Sequence, residues 1–583
     1  MKRQTIIFFS LLALFVSSCD KPQTEYPWLR LSDEWRFAPG DDMAWAETAY
    51  DDSQWAVITT QSCWEHQGFS DLDGYAWYRQ SVVIPESWRE AAEREGGLYL
   101  TYASADDADE AFFNGVSLGR NGDFPPNYNA TPGQPRKFLI APELIRYDQP
   151  NVIALRVYDG VGFGGVTSDS IILAVANPVA DIQVRLSSPE DHWVFAKGEY
   201  AAIDVEALLD APKDVRFQLA CLIENDFHQP VDSMSLSANL SAGKPLKKHL
   251  RLPITKPGFY RVTVYARQGG LKSTPAIFTV GREPEAIVSP TDAQPDFDAF
   301  WDETLAELAQ TPMNARVSQD ARLSNEKKTV YRVTLNSFGG KQIEATYAVP
   351  NGEGPFPVLL TNLGYAQGED NGTVNPDNMP GYCELVLSVR GQGLQINDKT
   401  YGEWITYGVK SKEDYYYRGA YMDLVRAVDF LASRPEVDSR YIFAGGVSQG
   451  GAFTLAVAAL DHRICAAAPC VPFLSDFPDY FRLVDWPRDR FELAMEADST
   501  LMWPDIYKVL SYFDIKNFAS RIQCPVMMAA GLQDDICPPH TNFSGYNLIQ
   551  SEKRYIIYPY QGHGVEDSWY DDRRAFFDGM IEN

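Results

Sequence analysis

The chain has little of what a metal protein, a nucleic-acid binder or a membrane-spanning protein needs. Its 583 residues hold only 8 cysteines and 7 histidines. Past Cys19 the cysteines are Cys63, Cys221, Cys383, Cys465, Cys470, Cys524 and Cys537, odd in number and without Cys-x-x-Cys spacing. That pattern indicates neither a disulfide framework nor a zinc site, and leaves most of these side chains as small buried hydrophobes. Positive charge is short as well. Against 79 acidic residues stand 51 Lys and Arg, a net charge of −28, which speaks against nucleic acid and anionic membrane as partners. No stretch beyond the start approaches the ~20 apolar residues that cross a bilayer.

What is there begins with a leader. Lys2 and Arg3 precede an apolar core at residues 6–16, too short to span a membrane. Val16-Ser17-Ser18-Cys19 resembles a bacterial lipobox. The resemblance implies that residues 1–19 are a lipoprotein signal in which Cys19 is lipidated. The protein is then extracytoplasmic, periplasmic or at the cell surface, and anchored to a membrane rather than crossing it. An ordinary secretory signal is the alternative.

Seven tryptophans lie between Trp28 and Trp88, among strand-like runs and an Asn114-Gly115 hairpin signal. Most are expected in a core rather than stacked on sugars. Asp51-Asp52-Ser53-Gln54-Trp55, Ala76-Trp77-Tyr78-Arg79 and Asn151-Val152-Ile153-Ala154 resemble the galactose-binding-like jelly roll, which would span residues 26–179. Residues 181–283 alternate in strand fashion between Pro and Gly turns and read as an immunoglobulin-like sandwich, a spacer without chemistry of its own.

From residue 290 to 583 the pattern changes. Asp296 is expected to cap an amphipathic helix; a hairpin turns at Gly339-Gly340; a helix is expected over residues 413–433. Strands and helices then alternate, which implies a mostly parallel sheet covered on both faces. At its centre is Gly446-Val447-Ser448-Gln449-Gly450, between an apolar strand and an Ala-rich helix. This is a nucleophile elbow, whose tight turn requires glycine on both sides and lifts the Ser448 hydroxyl above the sheet. The Gln449 amide, at the helix start, is placed to donate to an oxyanion.

A serine nucleophile needs a base and an orienting acid, in the chain order Ser, acid, His. His462, His540 and His563 follow Ser448. His462 falls at a helix end and His540 lacks a strand of its own. His563 follows the last strand between two glycines and is the base. The acid lies in Gly531-Leu532-Gln533-Asp534-Asp535, and the spacing leaves both aspartates open.

Four motifs narrow the reading: Arg390-Gly391-Gln392-Gly393, the elbow, Gly531-Leu532-x-Asp534-x-x-Cys537-Pro538-Pro539, and Leu510-Ser511-Tyr512-Phe513-Asp514. With them the C-terminal half resembles the acetyl xylan esterase and cephalosporin C deacetylase family of α/β hydrolases. The resemblance implies a triad of Ser448, Asp534 and His563, and an oxyanion hole from the amides of Gln449 and Tyr365. It implies bracing roles for Arg390 and Gln392, with no metal or organic cofactor. The substrate implied is an acetylated carbohydrate. Two positions depart from the family: Leu363 stands where a histidine is usual, and Gly564 follows the base where a glutamate is usual. Two rival readings stay open here, a serine hydrolase of another ester or peptide, and a carbohydrate-binding lipoprotein with an inert hydrolase fold.

Overall fold

A computed structural model describes residues 26–582 except 71, 161, 190–191, 210–213 and 242, so the leader and Cys19 lie outside the described residues. The N-terminal region is two antiparallel sheets. One runs Trp28–Arg30, Ile172–Val175, Leu98–Tyr102, Arg136–Ile140; the other runs Ala56–Thr59, Glu34–Pro39, Gly74–Val83, Pro150–Asp159, Ala108–Phe113, Val116–Asn121. Trp35 and Trp64 from one side and Leu98 and Leu100 from the other share one core. Trp77 and Trp88 are buried too, whereas Trp28 keeps 46% of its surface exposed. Asn114 and Gly115, at φ 51° and 85°, make the expected hairpin turn.

In the middle region a sheet of Val194–Phe195, Ala276–Arg282, Gly258–Gln268, Val215–Asn225 and Pro230–Leu240, with Leu271–Lys272 on Gly258–Gln268, faces a three-stranded sheet. Inward residues such as Leu219, Ile223, Val262 and Val264 fill the core, and their neighbours face out.

The C-terminal region is built on nine strands in the order Arg316–Gln319, Lys328–Asn336, Gln342–Pro350, Cys383–Ser388, Phe356–Asn362, Val437–Val447, Ile464–Cys470, Val526–Gly531, Lys553–Tyr558. The first three meander antiparallel, and the rest are mutually parallel. Strands covered on both faces need apolar side chains on both, and Cys383–Ser388 is buried throughout. Each fully buried Leu or Phe here stabilises the fold by about 1.5–3 kcal/mol. Helices Tyr416–Ala432 and Gln449–Leu460 pack against the sheet. Among the described residues no helix is long and apolar enough to cross a membrane.

Two local expectations fail. Asp296 stands at the N-cap of Phe297–Ala309 but caps nothing, because its carboxylate is taken by Lys412 and the Tyr512 hydroxyl. The helix expected from residue 413 starts at Tyr416, since Asp414 and Tyr415 close a turn on the Ser411 carbonyl at 3.2 and 3.0 Å.

The middle region is more than a spacer. Its Phe259 and Val262 share a core with Leu532, Phe543 and Tyr546 of the C-terminal region. Gln533 donates to the Thr279 carbonyl at 3.2 Å and accepts from the Thr279 amide at 2.8 Å. Trp193 Nε1 donates to the Tyr560 hydroxyl at 3.2 Å. His540 is 8% exposed, with Nδ1 2.9 Å from Asp226 of the middle region and Nε2 3.5 Å from Asp479. Burial by itself would depress this imidazole, but the two carboxylates outweigh it and raise its pKa from 6.5 to about 9.

A group whose pKa rises on folding stabilises fully below its unfolded value and loses that contribution through its folded value. Thermal stability should therefore decline from 6.5 toward about pH 9 on account of His540. Asp226→Asn should lower the melting temperature at the acid end of that window and flatten the decline. Thermal melts across the window check this, and an unchanged slope in the variant would remove the pair as its source.

Candidate active site

Strand Val437–Val447 runs into Ser448 at φ 60°, ψ −121°, and helix Gln449–Leu460 starts at the next residue. A left-handed φ on a non-glycine residue is strained, and the surroundings hold it. The Ser448 amide donates to the Cys470 carbonyl at 2.9 Å and its carbonyl accepts from the Phe473 amide at 3.0 Å. The flanking glycines are required by contact. A Cβ on Gly450 would lie 2.2 Å from the Asn362 carbonyl oxygen, one on Gly446 2.5 Å from that of Gly450, and one on Gly451 2.6 Å from that of Cys470. The Gln449 amide, at the first helical position, has no intrahelical acceptor to occupy it.

Asp534 and His563 come together past the ends of the last two strands, Val526–Gly531 and Lys553–Tyr558. His563 Nδ1 lies 2.9 Å from Asp534 Oδ2 and 3.2 Å from Oδ1. Asp534 is buried at 5% exposure, and its Oδ1 also accepts from the amides of Ile536 at 2.9 Å and Cys537 at 2.8 Å. These contacts hold its carboxyl group facing the ring. Asp535 is exposed. It caps nothing: the helix Pro539–Tyr546 has no side-chain cap, and the turn leading to it is closed by Asp534 itself. The acid and base loops run in backbone contact, since a Cβ on Gly531 would sit 2.1 Å from the Gly562 carbonyl oxygen. Gln533 ties them further, its amide donating to the Gln561 carbonyl and its side chain to that of Pro559, both at 2.9 Å.

The other candidates surround these. Asn362 pairs in register with Gly446, so the loop carrying Leu363, Gly364 and Tyr365 runs beside the elbow. The Tyr365 hydroxyl donates to Glu403, and its ring lies 5.4 Å from Trp404, 5.3 Å from Trp486 and 6.4 Å from Phe473. Arg390 is buried on Asp423, with Nε to Oδ2 at 2.8 Å and Nη2 to Oδ1 at 2.7 Å. Gln392 exchanges side-chain hydrogen bonds with Gln449, donating at 3.4 Å and accepting at 3.0 Å, and donates to the Tyr416 hydroxyl at 2.9 Å. Tyr417 donates to Gln449 at 3.0 Å, and Tyr416 to the Arg390 carbonyl at 2.8 Å. Arg390 and Gln392 therefore sit behind the elbow rather than in front of it. Tyr416, Tyr417 and Gln533 carried no motif.

The remaining titratable groups have structural places. His462 is exposed. Asp514, raised to about 7 by burial, accepts from the amides of Asp476, Phe477 and Lys516 at 2.8, 2.9 and 3.0 Å, so its motif braces a turn. Burial holds the Cys537 thiol, beside the Ser448 and Tyr480 hydroxyls, well above its ordinary pKa, which leaves it neutral and a poor rival nucleophile. Among the described residues Asp476, Asp479 and His540 group their ligand atoms within 4.8 Å of one another, but the Lys516 ammonium, 2.8 Å from Asp476, already supplies a cation there.

Known proteins resemble this chain. The family model described as acetyl xylan esterase matches residues 287–580. The curated acetyl esterase Axe7A of Xylanibacter ruminicola is 28% identical over 396 residues, 64% of this chain and 84% of that protein. Two solved acetyl xylan esterases also align. The Thermoanaerobacterium enzyme is 27% identical with a TM-score of 0.48, covering 51% of this chain and 98% of that one. The Paenibacillus enzyme is 31% identical with a TM-score of 0.47 and the same coverages of 51% and 98%. The chain belongs to the acetyl xylan esterase family and is a carboxylic ester hydrolase.

Proposed function

We propose that this protein removes O-acetyl groups from acetylated xylan-type oligosaccharides and polysaccharides through an acetyl-enzyme on Ser448. The observation that carries the reading is Ser448, strained at φ 60° in its glycine-walled elbow, in the same layer of strand ends as the Asp534–His563 pair at 2.9 Å. Ser448 Oγ attacks the acetyl carbonyl carbon while His563 Nε2 takes its proton. The amides of Gln449 and Tyr365 hold the oxyanion, worth about 2.7–4 kcal/mol for a single donor. The sugar oxygen leaves with the proton from His563, and water repeats the cycle on the acetyl-serine to release acetate. Asp534 fixes the tautomer of the ring. Each step is proton transfer and acyl transfer, which these side chains perform without a cofactor.

The setting is part of the proposal. The lipobox-like segment ending at Cys19 supports an extracytoplasmic enzyme held on a membrane by a lipid anchor. The two N-terminal sheets and the middle pair support a galactose-binding-like jelly roll followed by an immunoglobulin-like sandwich.

Ser448→Ala should abolish acetate release and leave the thermal melt nearly unmoved. A loss below about a hundredfold would sink the assignment. Acetate release from acetylated xylo-oligosaccharides, compared with aryl acetates and peptides, tests the substrate.

Asp534→Asn should lower turnover by roughly a thousand- to ten-thousandfold through the wrong imidazole tautomer. Asp535→Asn, exposed and capping nothing, should leave both turnover and melting temperature near the parent values. Steady-state kinetics on the two variants check the pair; a large loss from Asp535→Asn alone would transfer the role of the acid.

A further inference from the structure

The outer face of the larger middle sheet has a composition unlike the rest of this acidic chain. Register places Arg216 opposite Asn239, Gln218 opposite both Ser237 and Arg267, and Arg267 opposite Lys272. Directly opposed residues share a face, so these side chains form one polar surface. With Trp28 of the N-terminal region as an end wall they line a cleft of about 870 Å³. No Asp or Glu lines it, although the chain carries 79 of them against 51 Lys and Arg. Among the described residues Arg216, Arg267 and Lys272 form no salt bridge. Arg267 Nε donates to the Gln218 amide oxygen at 3.1 Å, and Lys272 Nζ stands 6.0 Å from the centre of the Tyr265 ring. Three cations with neutral neighbours keep their capacity for an outside anion.

Trp28 is held, not loose. Gly269 and Gly270 turn the chain at φ 55° and 79°, and a Cβ on Gly270 would fall 2.4 Å from the Trp28 ring. The indole lies on that turn while 46% of its residue surface stays exposed, a rigid apolar plate beside amide and guanidinium donors. A flat apolar plate with donors around it suits a sugar ring, and the three cations suit carboxylates on that sugar.

The same face leads toward the acid loop. Along Gly258–Gln268 the outward residues are Arg267, Tyr265, Thr263 and Arg261, with Arg261 about 20 Å from Arg267 at ~3.3 Å per residue. Arg261 and Thr279 line a second cleft of about 360 Å³ whose other wall includes Asp534 and Asp535. The cationic character fades on the way, since Glu224 stands opposite Arg261.

We propose that this face is a binding track for an oligosaccharide bearing uronic acid groups, with its carboxylates at the Trp28 end and its neutral acetylated sugars toward Ser448. The delivery of that sugar to Ser448 rests on the esterase reading; the binding itself does not.

Calorimetry on the Ser448→Ala chain, which cannot turn substrate over, tests binding alone. The probes are xylo-oligosaccharides with and without uronic acid side groups. The acidic probe should bind at least about tenfold tighter, and the gap should close at ~1 M salt, where screening shortens to ~3 Å. Arg216→Gln with Arg267→Gln should erase the preference, and Trp28→Ala should weaken both probes; thermal melts confirm that each variant is folded. In chains keeping Ser448 the arginine pair should raise KM on acidic acetylated polymer by about tenfold, with kcat and aryl acetate hydrolysis unchanged. Equal affinity for the two probes would overturn the proposal. So would tighter binding to phosphatidylglycerol vesicles than to either sugar, which would make the face a membrane contact. If no glycan yields acetate while the acidic preference persists, the esterase reading falls and the track stands.

Discussion

The site depends on how closely main chain passes main chain around Ser448. Three carbonyl oxygens, from Asn362, Gly450 and Cys470, occupy the places where side chains on the flanking glycines would be. That crowding allows strand Ile464–Cys470 and the segment just after it to hold Ser448 on both its amide and its carbonyl, and so keeps a backbone conformation that an isolated chain would abandon. Everything that acts on the serine is positioned relative to this fixed point. The Tyr365 loop leaves the adjoining strand, and the acid and base loops leave the strands beyond.

Behind the elbow, buried polar groups continue the same constraint. Gln449 is held by Gln392 and Tyr417, Gln392 by Tyr416, and Tyr416 by the carbonyl of Arg390, which is locked on Asp423. A buried network of this kind tolerates little change, because removing one member leaves its partners unsatisfied at about 1–3 kcal/mol each. Gly419 shows the same tightness: a Cβ there would overlap the Arg390 guanidinium at 2.1 Å. The network turns a helix packing against a sheet into a support for one backbone amide.

What could be read from residues alone follows a physical division. The elbow, the parallel strands and the base were legible because each imposes a local pattern: glycine where a Cβ cannot fit, apolar runs where both faces are covered, a histidine past the last strand. Family motifs separated Asp534 from Asp535, and burial of the first with exposure of the second agrees with that choice. The expected cap failed for a different reason. Asp296 sits where a cap is plausible, but long-range partners took its carboxylate. Contacts between regions left no mark at all. Asp226 meets His540 across 314 positions of sequence, and nothing in either neighbourhood announces the other.

Those contacts also bear on modularity. Multi-region enzymes are commonly pictured as beads that can be exchanged or lost while the chemistry survives. Here Leu532, Phe543 and Tyr546, which follow the acid strand, pack against the middle sheet, and Gln533 hydrogen-bonds both the amide and the carbonyl of Thr279 in it. Cutting the chain before residue 287 would uncover that apolar patch next to the acid loop. Substitutions on either side of the junction are therefore expected to co-vary rather than drift independently.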